Sequence, residues 1–521
     1  MDLSRTSIRQ LTDPSEIRPY TTDESGAFAG HASAVVLPRS ADEVAEVVSR
    51  ARASRSPLTV SGAGTSITGS RVPDAGVVLS TERLRSWRAV MPEAIDSSRG
   101  ETDWVELAEG DCRVGLAPYG GCAVVPAGER LAELDRLRAP RRRLYPPDPT
   151  ELTAMLGGTI ATNASGARSY RYGATREWID GLLVCGLRGE PVWVRRGEWV
   201  ASRGVLPLPE ALGGGSLDVS TAAEPPETKN AAGLMLASDV DLVDLIVGSE
   251  GVLAVVIAAL VRLAPRPEPL VQIAGFFGSA EDAFAAADEA RDDPDVLSIE
   301  YFDERSLAFM RRSYPDTPDA GSCVMFEIEY DEAARHNPYP RSETLDRWAG
   351  RFANHHAVDD WTAAGEELAG MKSFRHALPE QVNRWVRERV GKLGTDMAVP
   401  ADRFADMHRR YREAQSAGIR TVLFGHLGQY HLHLNFLPEN RHELDTARRL
   451  YLGLARAAVA AGGTVSAEHG VGRKRLADEN GVSRPYLSYL VGEAGMRAIA
   501  RVKRRFDPDW LLNPGCMVEE P

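Results

Sequence analysis

The chain has 521 residues, and 61 Lys plus Arg against 74 Asp plus Glu leave a net charge of −13. With 43% hydrophobic and 26% charged residues it has ordinary globular composition, which excludes a disordered tail, a fibrous repeat and a small stapled scaffold, and its length allows about two to four domains. The acidic balance sets nucleic acid aside as a main partner, because phosphate binding needs a net basic face.

The N-terminus shows no apolar core of a secretory signal. Ser40 and Glu43 have the spacing of a capping box, and Val44, Val47, Val48 and Ala51 follow at helical spacing. That helix should end near Ser54. Pro57 to Val60 reads as a short strand running into SGAGTSITG (61–69), and GVVLS (76–80) as another. Trp104 to Ala108 is strand-like, and Leu131 to Leu137 is helical in pattern. Residues 144–173 are dense in Gly, Pro, Ala and Ser, so their backbone must pack closely on something. Ile179 to Leu187 is an apolar strand, and residues 203–232 look like a surface excursion. Leu242 to Leu263 carries GSEG (248–251) and then a buried-strand pattern. Its longest apolar stretch, Gly251 to Val261, is too short to span a bilayer.

Pro265, Pro267 and Pro269 give the clearest linker signal. Beyond it, strands at Val271 to Phe277 and Val324 to Tyr330 flank a helix at Ala280 to Arg291. Helical patterns fill 341–391, 402–418 and 444–461. The five cysteines, Cys112, Cys122, Cys185, Cys323 and Cys516, are odd in number and include no CxxC pair. A disulfide framework, a thiolate zinc site and an iron–sulfur module are therefore not expected, and a reduced, cytoplasmic setting fits, with peripheral membrane association compatible.

Three small-residue segments stand out in the first half. Gly62, Gly64, Thr65 and Ser66 form a loop whose backbone N–H groups could cradle phosphate. It is no dinucleotide GxGxxG, because Ile67 occupies the third glycine position, and no P-loop, because Ser70 and Arg71 follow Gly69. Taken alone it reads more simply as a glycine-rich turn between two strands. GGTIATNASG (157–166) and GSEG suggest several loops converging on one extended ligand.

In order and spacing, PLTVSGAGTSITG, LYPPDP, GGTIATNASG, RYG and IVGSEG resemble the FAD-binding domain of the vanillyl-alcohol oxidase and p-cresol methylhydroxylase superfamily. The resemblance implies a cofactor set of Ser61, Gly62, Ala63, Gly64, Thr65, Ser66 and Gly69, then Pro146 and Asp148. It continues with Gly157, Gly158, Thr159, Ala161, Thr162, Asn163, Gly166, Tyr172 and Gly173, and ends with Glu250, Gly251 and Val255. Some members attach FAD through a His where this chain has Thr65, so FAD held without a covalent bond is implied. The family's GSEGTLG reads GSEGVLA here.

Of eleven histidines, His426, His431 and His433 fall within eight residues. In an extended strand His431, His433 and Asn435 share a face, and the nearby glycines allow His426 to return to it. Farther on, Glu468 and His469 sit between glycines. Imidazoles with one carboxylate suit zinc, manganese or iron. Strand histidines bonded to backbone or solvent are the plainer alternative. The HExxH pattern is absent.

GHLGQYHLHLN, AEHGVGRKR and FDPDWLLNPG are similar to the GHxGDGNLHLN, GEHGIG and DPxxxLNPG segments of the FAD-linked D-2-hydroxy acid dehydrogenases, which act on D-lactate, D-2-hydroxyglutarate or glycolate. The resemblance implies His426, His433 and Glu468 as ligands of a divalent metal, zinc or manganese. It implies His469 as the catalytic base and Asn435 as a substrate contact. Arg375, in FRHALPE, corresponds to the family's substrate arginine, with a surface arginine as the equal alternative, and Lys392 is a weaker candidate. Where the family has DGN, this chain has Gln429, Tyr430 and His431, so His431 could be an extra ligand, a second base or a substrate contact.

The implied fold is α+β: a two-subdomain FAD-binding domain of the p-cresol methylhydroxylase type over residues 1–266, an α+β substrate cap with an antiparallel sheet over 267–490, and a segment, 491–521, returning to the FAD domain. The implied partners are a small 2-hydroxy acid and a separate electron acceptor (a quinone, a cytochrome or an electron-transfer flavoprotein), and a homodimer is compatible. Three rivals are an enzyme resembling alkyl-dihydroxyacetone-phosphate synthase, an oxidase, and a non-catalytic FAD-binding subunit. The Glu468–His469 pair favours the metal-dependent dehydrogenases over the synthase, which has a His-His pair there.

Overall fold

The computed structural model describes residues 1, 6–90, 105–109, 112–117, 120–220, 225–267, 269–329, 340–387 and 389–520. Trp104 and Tyr330, which the sequence places in strands, lie outside them.

A four-stranded sheet opens the chain, in the order Arg9–Leu11, Ala34–Leu37, Val77–Ser80, Leu58–Ser61. The last three strands run parallel, so the helix Ala41–Ala53 serves as a crossover. Its cap is the expected one: Ser40 Oγ accepts the Glu43 N–H at 3.2 Å, and Val44, Val47, Val48 and Ala51 are its buried face. Leu58–Ser61 ends exactly where the glycine loop begins, so the loop is presented at the carboxyl end of a parallel strand.

An antiparallel six-stranded sheet follows, in the order Pro191–Arg195, Ile179–Cys185, Val255–Arg262, Cys122–Pro126, Cys112–Leu116, Val105–Glu109. The buried strand expected after GSEG is present, and a short helix precedes GSEG. Leu242–Ile246 is a short helix capped by Asp241, and the strand is Val255–Arg262. Leu242, Val243, Leu245 and Ile246 are all fully buried, so no polar face marks the helical period.

The second half is built on an eight-stranded antiparallel sheet. Its main path runs Ala357–Ala364, Leu270–Phe277, Ser322–Glu329, Val296–Asp303, Thr421–His426, His431–Phe436, Leu393–Gly394, and Met397–Ala398 also pairs with His431–Phe436. The helices Ala280–Ala290, Phe404–Gln415 and Arg441–Ala460 lie near their expected places. The expected run of helix over 341–391 is corrected. The helices Pro340–Asn354 and Leu368–Val386 are separated by the strand Ala357–Ala364, which pairs antiparallel with Leu270–Phe277. No helix among the described residues is long and apolar enough to cross a membrane.

The last residues run against the first sheet. Leu58 N–H donates to the Leu511 carbonyl at 2.8 Å, and Asn513 Oδ1 accepts the Val60 N–H at 2.7 Å. A fully buried ion pair holds this segment. Lys503 Nζ donates to Asp507 Oδ2 at 2.8 Å and to the carbonyls of Leu512 at 2.8 Å and Val252 at 3.1 Å. Asp507 also accepts the Leu511 and Leu512 N–H groups. Removing one member of such a pair leaves a buried charge without its counterion. Lys503→Met should therefore destabilise the protein by about 3–5 kcal/mol. Urea unfolding followed by tryptophan fluorescence would show a lower midpoint, and an unchanged midpoint would show the pair to be dispensable.

Candidate active site

The three small-residue segments do converge. A Cβ on Gly62 would stand 3.8 Å from Gly158 Cα, so loop 61–66 lies against the helix Leu156–Thr162, which carries Gly157, Thr159, Ala161 and Thr162. The Gly248 N–H donates to the Ile160 carbonyl at 2.9 Å, and the Glu250 N–H to the Ala161 carbonyl at 2.7 Å. Asn163, Glu250 and Gly251 all have positive φ, which lets the chain turn sharply beside that helix. Pro146 and Asp148 belong to the strip that Gly166 crosses closely: a Cβ there would meet the Asp148 carbonyl at 2.1 Å. Gly69 donates its N–H to Asp23 at 2.9 Å, Tyr172 packs edge-on against Trp178, Gly173 has φ +76°, and Val255 is fully buried.

The loop itself is a set of donors without acceptors. Among the described residues the N–H groups of Ala63, Gly64, Thr65, Ser66 and Ile67 bond to nothing in the protein. Half-buried N–H groups are normally paired, and Gly64 to Ile67 are half-buried beside the exposed Ala63, so the run describes a cradle for an anion such as a pyrophosphate. Gly64 has φ +92°, and a Cβ there would lie 2.3 Å from Arg71 Nη1. Gly64→Val should weaken FAD binding by roughly tenfold to a hundredfold, the cost of a branched side chain at positive φ. Fluorescence titration of the refolded apoprotein measures it, and an unchanged affinity would remove the loop from the cofactor site.

Glu250 serves a second purpose. Its buried carboxylate accepts the Val471 N–H at 2.8 Å and the Gly472 N–H at 2.9 Å, tying the cofactor half to the AEHGVG turn. Burial raises its carboxyl to about 7, against the opposing pull of those N–H donors.

The histidines lie on one hairpin. Thr421–His426 pairs antiparallel with His431–Phe436, with His426 opposite His431. A tight turn, Leu427–Gln429, and Tyr430 at φ 53° join them. His426 Nε2 is 3.0 Å from Glu468 Oε1, and His433 Nε2 is 3.7 Å from Glu468 Oε2. Their other nitrogens are committed. His426 Nδ1 lies 2.7 Å from Glu300 Oε1, and His433 Nδ1 lies 2.9 Å from the Thr395 carbonyl. Outer partners of this kind fix the ring and present Nε2 to a metal. Metal bonds of about 2.0–2.2 Å require ligand atoms about 3–4 Å apart. The two Nε2-to-Glu468 separations, 3.0 and 3.7 Å, fall in that range, and His426, His431, His433 and Glu468 each offer a ligand atom within 4.8 Å of the others, a donor set whose chemistry suits a divalent metal.

Electrostatics follow from burial among opposite charges. Burial would lower His426, but Glu300 and Glu468 raise it to about 9. Burial would raise Glu468, but His426 and Lys229 hold it well below the usual carboxylate range. Lys229 Nζ is ion-paired directly to Glu468 Oε1.

His469 sits beside this group. Its Nδ1 is 3.0 Å from Asp396 Oδ2, and its own N–H donates to the same oxygen at 2.9 Å. Ser466 Oγ also donates to Asp396, at 2.7 Å. Despite its burial, Asp396 is held well below the usual range by His469 and His431. His469 is one-third exposed, and Nε2 meets no partner among the described residues. His431 is fully buried, with Nε2 2.9 Å from Asp396 Oδ1 but out of hydrogen-bond alignment. Burial next to His433 lowers it to about 3, so it is neutral.

Arg375 lies on the helix Leu368–Val386 within electrostatic reach of Glu300, Asp148 and Glu327, and its Nη2 is 2.8 Å from His376 Nε2. Lys392 instead bonds Asn383 at 2.7 Å. Among the described residues the Asn435 side chain donates to the His433 carbonyl, at 3.4 Å. Sequence reasoning singled out none of Lys229, Glu300 or Asp396. Each stands in a locally ordinary stretch. Lys229 in particular falls in the expected surface excursion, yet its side chain is 2% exposed.

Residues 266–517 match the C-terminal domain of the FAD linked oxidases, and residues 32–102 and 105–195 match the FAD binding domain. The chain belongs to the FAD-linked oxidase family. This FAD-linked oxidoreductase is 25% identical to the glycolate oxidase subunit GlcD of Bacillus subtilis, over 96% of the chain and 91% of that protein. It is 26% identical to a D-lactate dehydrogenase of Archaeoglobus fulgidus, over 98% of each. It is 25% identical to a D-2-hydroxyglutarate dehydrogenase of Stutzerimonas stutzeri, over 97% of the chain and 95% of that protein. A solved alkyldihydroxyacetonephosphate synthase shares the fold, with TM-score 0.63 and 14% identity over 97% of the chain and 82% of that structure.

Proposed function

We propose that this FAD-linked oxidoreductase oxidises a D-2-hydroxy acid to the 2-oxo acid, using FAD held without a covalent bond and a divalent metal, zinc or manganese. The observation that carries this reading is the convergence of two histidine Nε2 atoms on Glu468, with His469 braced on Asp396 beside them. When bound, FAD supplies the hydride acceptor and the metal supplies Lewis acidity at the substrate hydroxyl. His426, His433 and Glu468 would hold the metal.

The protein's own groups do the rest. Asp396 Oδ2, 3.0 Å from His469 Nδ1, favours the tautomer with a basic Nε2. That nitrogen takes the hydroxyl proton. Arg375 meets the substrate carboxylate, since guanidinium binds carboxylate with two parallel hydrogen bonds. Glu300 and the Thr395 carbonyl orient the two ligand rings. His431, buried and neutral, backs His433 at a ring distance of 4.3 Å and shares Asp396 with His469. The relatives act on glycolate, D-lactate or D-2-hydroxyglutarate by name, which supports the substrate class. With no CxxC pair in the chain, electrons leave to a separate acceptor.

The test is a dye-linked assay across D- and L-2-hydroxy acids, with and without zinc or manganese. Turnover of D-enantiomers or glycolate that depends on the metal is expected. Dye reduction by no hydroxy acid would sink the reading.

A further inference from the structure

Lys229 is a buried ammonium placed among groups that the proposed function assigns to a metal. It sits on a loop that bridges the two halves and is fixed on both sides. Asn163 Nδ2 donates to the Asn230 carbonyl at 3.3 Å from the cofactor side. From the cap side, Thr464 Oγ1 donates to Asn230 Oδ1 at 2.6 Å, and the Ala231 N–H donates to the Ser466 carbonyl at 2.9 Å. The main chain beside Lys229 is thus pinned, and its side chain is buried, 2% exposed. Its ammonium is paired to Glu468 Oε1, the oxygen that His426 Nε2 approaches at 3.0 Å.

We infer that Lys229 is a positioning residue that competes with the metal for Glu468 and keeps the metal affinity of this cluster low. The inference rests on the metal reading above. The geometry makes it concrete. A metal bonded at about 2.1 Å to Oε1 lies no more than about 5 Å from an ammonium hydrogen-bonded to the same oxygen. Two cations that close, both shielded from water, repel strongly. The neighbouring pinned main chain keeps Lys229 beside Glu468, so part of the carboxylate's attraction for a metal is already taken up. A bound metal must share Glu468 or push the ammonium off it.

The test is a titration of the FAD-loaded protein with zinc or manganese against a chromophoric chelator, for wild type, Lys229→Met, Lys229→Arg and Glu468→Gln. Lys229→Met keeps the length of the side chain and removes its charge. It should bind metal roughly tenfold more tightly or better. Lys229→Arg, which keeps the charge, should stay near wild type. A structural role for Lys229 gives the opposite sign, because a misplaced Glu468 binds metal worse. The flavin absorption spectrum reports that each variant is folded and loaded. Equal or weaker binding by Lys229→Met, with wild-type binding abolished by Glu468→Gln, overturns the inference and leaves the metal reading standing. Binding by none of the four proteins overturns the metal reading and this inference together.

Discussion

Replacing His469 by Asn should slow flavin reduction by roughly 10²–10⁴-fold while bound FAD and metal stay at wild-type levels. The reason lies in how the ring is held. Nδ1 faces the buried Asp396 carboxylate at 3.0 Å, and Nε2 of the one-third exposed ring meets no hydrogen-bond partner among the described residues. Asn can keep the contact to Asp396 but has no nitrogen able to take a proton. Asp396→Asn should lose less, because the base survives while its tautomer and orientation loosen. Single-turnover absorbance near the flavin maximum measures both variants. If His469→Asn stayed within about tenfold of wild type, the base would have to be another group.

Removing the metal should cost as much. Chelation of the purified protein is expected to lower turnover by at least roughly a hundredfold, and zinc or manganese should restore it. Glu468→Gln should show the same loss without restoration. An amide keeps the shape of Glu468 but gives up the charge that His426 and His433 approach at 3.0 and 3.7 Å. Flavin content should not change in either case, since the loop 61–66 and the helix Leu156–Thr162 lie on the other half of the chain. Activity that survives exhaustive chelation, in a protein shown by elemental analysis to be metal-free, would overturn the ligand assignment.

The parts of this site that could be read in the sequence are those whose chemistry is local. A loop that must present five N–H groups needs small residues, and SGAGTS shows them. A strand that aims His431, His433 and Asn435 to one face shows a period of two. A capped amphipathic helix such as Ala41–Ala53 announces both its start and its buried face. The three groups that complete the site carry no such mark. Glu300 comes from the strand Val296–Asp303, Asp396 from a short connection between two-residue strands, and Lys229 from a loop in the cofactor half. They meet the histidines only through the sheet order and the packing of the two halves. The misread strand Ala357–Ala364 has a similar cause. It is an edge strand, paired on one side, and three exposed residues, Val358, Asp359 and Asp360, interrupt its alternation. Ala-rich flanks and helices on both sides make it look continuous with them.

The hydroxyl proton and the C2 hydride should be lost by one enantiomer only, and with the metal in place. Anaerobic stopped-flow bleaching of the flavin, using D-2-hydroxy acids with hydrogen or deuterium at C2, measures this most directly. The account predicts rapid bleaching by a D-enantiomer or glycolate, slowed by deuterium, and lost on chelation or in His469→Asn. Failure of every 2-hydroxy acid to bleach the flavin of the metal-loaded protein would contradict it.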